Sequence, residues 1–86
     1  MTYKFQTLSV MDDVKKDDRI LAIAKRIKDL RIENGYTSYE KFAIKHDFQG
    51  KQYWRLEEGH DFKVSTLLRI VDAHNLSLED FFKGVK

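Results

Sequence analysis

The sequence predicts a compact all-α fold of five short helices that follows an N-terminal arm of residues 1–18. Apolar residues recur at intervals of three and four along most of residues 19–83. Ser residues precede several of these segments, Gly or Asn follows them, and the chain contains no Pro. A length of 86 residues supplies one modest core, so residues 19–86 are expected to form a single domain.

The first helix is predicted within residues 19–35, where Gly35 is expected to end it. One face of this segment is apolar and the opposite face is charged, as in a helix that packs on a core. The apolar residues are Ile20, Ile23, Ala24, Ile27 and Leu30, and the charged ones are Lys25, Arg26, Lys28 and Asp29.

The arm before this helix contains a loosely alternating stretch, Y-K-F-Q-T-L-S-V. Three interpretations stay open. The stretch could pair as a strand with a second chain, could lie over exposed Ile44, Trp54 or Phe62, or could be a tail.

Two short helices joined by a tight turn are predicted between Ser38 and Gly59. Ser38 is expected to cap residues 39–46, and Asp47 occupies a position that favours the left-handed conformation. Gln49 is the expected cap of the next helix, which Gly59 ends. The residues expected to face inward are Phe42, Ala43, Phe48, Tyr53 and Leu56.

The last two helices are predicted from a further apolar repeat and a capping sequence. Asn75 is expected to end the fourth helix, and Ser77 with Asp80 forms a variant of the capping box that starts the fifth. The expected inward residues are Val64, Leu67, Ile70, Val71 and His74 on the fourth helix and Phe81 and Phe82 on the fifth.

The outward face of the third helix carries groups that can read DNA bases. Lys and Arg donate to guanine O6 and N7, and a Gln amide can pair with adenine. Gly50 would let the backbone approach a duplex closely. An ordinary solvated surface would carry the same residue types, so the case depends on the turn before them. The outward residues are Gly50, Lys51, Gln52, Trp54 and Arg55.

The composition of the chain excludes several kinds of functional site but does not identify one function. The chain has no Cys, which excludes disulfides, thiolate metal sites and a cysteine nucleophile. A net charge of +2 is weak support for a nucleic-acid partner, although residues from Arg19 onward carry 13 cations against 10 anions. Apolar runs are too short for a membrane span or a signal peptide, so a cytoplasmic protein is expected.

The segment from Ile23 to Phe82 resembles the Cro and repressor type of helix-turn-helix domain, the lambda-repressor-like or XRE group. The resemblance lies in four stretches: I-K-D-L-R at residues 27–31, S-Y-E-K-F-A at 38–43, Y-W-R-L-E-E-G at 53–59, and L-L-R-I-V with N-L-S-L-E-D-F near the end. It implies a cytoplasmic, sequence-specific transcriptional regulator, repressor-like, that inserts its third helix into the major groove of double-stranded DNA as a homodimer.

The resemblance also assigns roles to individual residues. Base edges would be read by Gln49, Gly50, Lys51, Gln52 and Arg55. Phosphates would be contacted by Ser38, Tyr39 and Lys63, and His60 is expected in a loop where it can also meet phosphate. Arg31 would pair with Glu57 and fix the angle between the first and third helices.

No catalytic or metal site is predicted. The three histidines, His46, His60 and His74, lie on different predicted elements, and His46 and His74 are expected to be core rings bonded to backbone. No cofactor, small-molecule substrate or enzyme activity is expected. The alternative function is a protein-interaction module on the same scaffold, in which Tyr53, Trp54 and Phe62 anchor a toxin or another regulator.

Overall fold

The computed structural model describes residues 16–86, and the strand, covering segment or tail predicted for the arm falls largely outside them. This part of the chain forms five α-helices and no strand. The fold is therefore all-α, as predicted. The helices are α1 (Asp18–Glu33), α2 (Tyr39–Lys45), α3 (Gly50–Glu57), α4 (Val64–Ala73) and α5 (Leu78–Lys83).

Four of the five helices end in the same way. The residue after each C-cap has a positive φ: 90° at Gly35, 61° at Asp47, 90° at Gly59 and 55° at Asn75. The N–H of the following residue then donates to a carbonyl five positions back, as from Phe48 to Ala43 at 2.8 Å and from Leu76 to Val71 at 2.9 Å. These bonds form the Schellman motif, so the predicted helix stops are confirmed.

Side-chain caps start three of the helices. Asp17 accepts from the Arg19 N–H at 2.7 Å, Ser38 from Lys41 at 3.3 Å, and Ser77 from Asp80 at 3.0 Å. Gln49 occupies the N-cap position of α3 but makes no side-chain cap bond. Its role as a cap is therefore limited to backbone geometry, because its longer side chain suits this position less well than Ser or Asp.

One aromatic and aliphatic core joins all five helices. Its largest fully buried side chains are Tyr53, Phe42, Phe81, Ile27 and Ile70. Phe42 is central, with ring centroids 5.2 Å from Tyr53 and 5.3 Å from Tyr36. Burial of each of these side chains is worth about 1.5–3 kcal/mol, so this cluster makes a large favourable contribution to folding.

Several predicted orientations are wrong. Phe82 is 44% exposed and Val64 is 70% exposed, whereas Thr66, which is not among the predicted inward residues, is buried. Neighbouring helical residues point about 100° apart, so on the six-residue α5 only Phe81 can face the core. Arg26 was expected on the solvent face but reaches back to α5, where Nε donates to the Phe81 carbonyl at 2.9 Å.

Candidate nucleic-acid interface

A four-residue connection orients α3 relative to α2. Asp47 adopts the left-handed conformation and Phe48, 7% exposed, packs into the core between the two helices. The aromatic ring of Phe48 lies 6.4 Å from that of Phe42 and 5.6 Å from that of Tyr53. The conformation of the turn is thus fixed by the left-handed backbone of Asp47 and by the buried ring of Phe48.

Arg69 of α4 holds this turn from outside. Its Nη2 donates to the Asp47 carbonyl at 2.6 Å, and its guanidinium carbon lies 4.3 Å from the centroid of the Phe48 ring. A cation over an aromatic face adds attraction to the hydrogen bond. Sequence reasoning missed Arg69, because no local pattern links a residue of α4 to a turn 22 positions earlier.

A buried ion pair connects α1 to the C-terminal end of α3. Arg31 Nε donates to Glu57 Oε2 at 2.8 Å and Nη2 to Oε1 at 2.9 Å, while Nη1 donates to the Tyr36 carbonyl at 2.8 Å. The two side chains are 6% and 7% exposed. This is the pair that the sequence resemblance implies, and its hydrogen bonds to Glu57 raise the pKa of Arg31.

Tyr53 occupies the inner face of α3 and lies close to that pair. Its ring is fully buried, and burial raises the pKa of its hydroxyl far above the usual range. The hydroxyl oxygen has no hydrogen-bond partner within the described residues. With Tyr53 and Leu56 turned inward, the rest of α3 must face away from the core.

The outward face of α3 has the polar side chains that the sequence predicts for base reading. Lys51, Gln52 and Arg55 are exposed, together with Gln49 just before the helix. Trp54 is 38% exposed, and its ring centroid lies 6.3 Å from that of His60. These side chains project from a short helix whose opposite face is fixed by the core.

Gly50, at the first position of α3, differs from the other glycines. It has no positive φ, and a Cβ added there would meet no atom of residues 16–86 within 4 Å. Gly59, in contrast, has a φ of 90° and a Cβ there would collide with Leu21. Neither backbone conformation nor intramolecular packing therefore requires glycine at position 50.

A cavity of about 250 Å³ lies between α3 and the start of α4. It brings together residues assigned to base reading and to phosphate contact. The first N–H groups of α4 receive no side-chain cap from Lys63, and Thr66, 9% exposed, forms part of the wall. The lining residues are Gln52, Arg55, Leu56, Asp61, Phe62, Lys63 and Thr66.

Ser38 and Tyr39, the other predicted phosphate contacts, lie at the start of α2 and do not line this cavity. The Ser38 hydroxyl accepts from the Lys41 N–H at 3.3 Å and donates to Glu40 Oε1 at 2.9 Å. That carboxylate brings a negative charge to the first turn of α2. Any anion approaching this turn would meet Glu40 as well as free N–H groups.

The expectation that the core histidines bond to backbone is wrong for His74. Its Nδ1 pairs with the Asn34 side-chain amide at 2.5 Å, and its Nε2 is buried without a partner in the described chain. His74 stacks on Phe42 at 5.1 Å and His46 lies 4.4 Å from the same ring. Both histidines follow the last turn of a helix, where a ring can reach across to a neighbouring element.

Burial lowers the pKa of both His46 and His74, and each has a further cationic or imidazole neighbour that acts in the same direction. Within residues 16–86 no group of three His, Asp or Glu side chains could hold a metal ion. The histidines therefore belong to the core cluster around Phe42.

No family model, curated protein or solved structure matches the chain. The described helices include none with the length and hydropathy needed to cross a membrane.

Proposed function

We propose that this chain is a sequence-specific DNA-binding transcriptional regulator that inserts α3 into the major groove. The observation that carries the proposal is the division of α3 into two faces. Tyr53 and Leu56 are buried, whereas Lys51, Gln52 and Arg55 are exposed on a helix held by a buried ion pair. Such a helix presents donors for guanine and adenine at fixed positions.

The cavity beside α3 supports contact with the duplex backbone. Arg55 and Lys63 bring two cations to it, and the uncapped N–H groups of α4 add donors and partial positive charge. Asp61 also lines the cavity, but its Oδ1 accepts from the Phe62 N–H at 2.8 Å, so part of its charge is engaged. A phosphate beside the major groove could be held there while α3 contacts bases.

The lambda-repressor-like family resemblance belongs to this proposal. On this resemblance, the chain is a cytoplasmic repressor that binds as a homodimer. The two half-sites on DNA would lie one helical turn, about 34 Å, apart. A dimer is also expected because one small module buries little surface on DNA.

Selection of bound duplexes from a random pool tests the proposal directly. We expect a palindromic site, and in Lys51→Ala or Arg55→Ala the preference at one base pair should weaken by about 1–3 kcal/mol. Lys28→Ala, an exposed cation of α1, is the matched control and should leave the selected sequence unchanged. Unchanged base preference in both α3 variants would refute the base-reading role.

A protein-interaction module is the second candidate, favoured by exposed apolar side chains on α2 and α3. Ile44 is 79% exposed and Trp54 is 38% exposed, whereas Tyr53, one of the expected anchors, is fully buried in the core and cannot serve as one. Large exposed apolar side chains are typical anchors of interfaces. Recovery of no duplex at low salt, together with burial of Trp54 by a partner chain, would support this function instead.

A further inference from the structure

An apolar groove lies between the first half of α1 and the C-terminal part of the described chain. Its walls are formed by Ala22 and Ile23 of α1 and by Phe82 and Val85, and its volume is about 470 Å³. Phe82 remains 44% exposed there, although it is one of the largest apolar side chains in the protein. Covering these apolar side chains would remove them from water, which is favourable.

The lining of the groove also includes three charged residues. Asp18, Arg19 and Lys86 complete its lining. Arg19 also forms an ion pair with Asp17, which accepts a hydrogen bond from Arg19 Nη2 at 2.7 Å. No residue of this groove belongs to the α3 face or to the cavity beside it. An occupant of the groove would therefore not cover the residues proposed to contact DNA.

The chain itself supplies a segment of matching chemistry. Among residues 1–11 the only charged side chain is Lys4. Such a stretch gains free energy by leaving water. Its larger apolar residues are Tyr3, Phe5, Leu8, Val10 and Met11.

The connection between this segment and the groove is short. Asp18, the first lining residue, lies two positions after Lys16, where the described chain begins. Along α1 the groove extends as far as Ile23. At a rise of 1.5 Å per residue, Ile23 lies about 9 Å from Asp17. Three extended residues span about 10 Å and can therefore cover that length. The five residues 12–16 between residue 11 and Asp17 can span up to about 17 Å when extended, which is enough for residues 1–11 to reach the groove.

Tethering favours this occupant over a second copy of the chain. A segment joined by a few residues acts at an effective concentration in the millimolar range, well above that of a separate molecule. The charges are also compatible, since Asp12 and Asp13 carry the sign opposite to that of Arg19 and Lys86, two of the three charged residues in the lining.

We propose that residues 1–11 of the same chain dock in the groove formed by Ala22, Ile23, Phe82 and Val85. The segment covers Phe82 and ties the start of the chain to the residues that follow α5.

Limited proteolysis of the full chain tests this docking. Chymotrypsin should cut slowly after Tyr3, Phe5 and Leu8, and Phe82→Ser should speed those cuts by about tenfold or more, because the protected state is lost. Leu78→Ser is the matched control: Leu78 lies on the same helix and is 43% exposed, but it does not line the groove. Equal cleavage rates in the parent and Phe82→Ser would overturn the proposal.

A second measurement distinguishes the occupants and does not depend on a variant folding. In NMR spectra of the full chain, contacts are expected between the Phe5 ring and the methyl groups of Ile23 and Val85. A mixture of labelled and unlabelled chains should show no such contact between molecules. Contacts seen only between molecules would assign the groove to a second copy, and contacts seen in neither sample would leave the segment undocked; both results contradict the proposal.

Discussion

At the scale of single residues, the domain depends on polar groups placed where burial is costly. Arg31 and Glu57 are both more than 90% buried and satisfy one another through two hydrogen bonds. Removing either partner would leave an unpaired buried charge, a change that costs about 3–5 kcal/mol. His74 is the opposite case, because its Nε2 is buried without a partner in residues 16–86.

His74 should therefore make the fold sensitive to acid. Burial, reinforced by His46 and Arg26, lowers its folded pKa below the unfolded value of about 6.5. As the pH falls below that value, the unfolded chain binds the proton first, so stability decreases until the pH reaches the folded pKa. One such group changes the free energy of unfolding by at most about 1.4 kcal/mol per pH unit.

Urea titrations between about pH 7.5 and 5 would measure this effect. His74→Phe keeps a ring stacked on Phe42 and removes the ionisable group, so its stability should fall less with acid than that of the parent. His46→Phe should remove a smaller part of the dependence, since His46 is less deeply buried than His74. A His74→Phe protein as acid-sensitive as the parent would show that another group is responsible.

At the scale of secondary-structure elements, the helices are defined more by their ends than by their length. Only α1 exceeds ten residues, and α2 and α5 have seven and six. Helices this short are marginal in isolation. The Schellman turns at Gly35, Asp47, Gly59 and Asn75 let the chain reverse quickly and return each apolar face to one core.

Three glycine substitutions should separate folding from recognition. Gly50→Ala should stabilise the domain by a few tenths to about 1 kcal/mol, because Ala is the better helix former and the site is open. Gly35→Ala should cost about 1 kcal/mol through its positive φ, and Gly59→Ala at least as much, because Leu21 must also move. Urea unfolding would establish this order.

Affinity for a selected duplex should respond differently in the same variants. We expect Gly50→Ala to bind more weakly although it is more stable, because its methyl group takes the space that lets the α3 backbone approach DNA. Fluorescence anisotropy with a labelled duplex would measure the change. Binding of Gly50→Ala as tight as that of the parent would mean that no ligand approaches α3 closely at this position.

Much of the arrangement of the helices could be predicted from the sequence. Capping residues and helical periodicity are local signals, and they located all five helices and the buried positions of Phe42, Tyr53 and Leu56. The error at Phe82 arises because the six-residue α5 is too short for periodicity to fix its rotation, whereas Val64 is exposed at the first position of α4. The contacts of Arg69 and the partner of His74 join residues distant in sequence, for which the sequence carries no local signal.

At the scale of the whole molecule, charge is nearly balanced. The net charge is +2, and residues 38–66 contain five cations, Lys41, Lys45, Lys51, Arg55 and Lys63, against the five anions Glu40, Asp47, Glu57, Glu58 and Asp61. Long-range attraction to DNA is consequently modest. The proposed affinity must come mainly from short-range contacts, in which individual phosphates release counterions.

The salt dependence of binding should report those contacts one at a time. Lys63→Ala should reduce the slope of log affinity against log salt by about 1, because one phosphate contact is lost. Lys83→Ala, an exposed cation on α5, is the matched control and should leave the slope unchanged. Equal slopes for the parent and Lys63→Ala would remove Lys63 from the set of phosphate contacts.

The Arg69 contact has a mechanical consequence. Because Arg69 of α4 binds the turn that sets the direction of α3, and because α4 also packs on α5, a displacement of α5 that moved α4 would also alter the contact at that turn. Arg69 thus adds a polar link between the second half of the domain and the turn before α3, beside the core that the helices share.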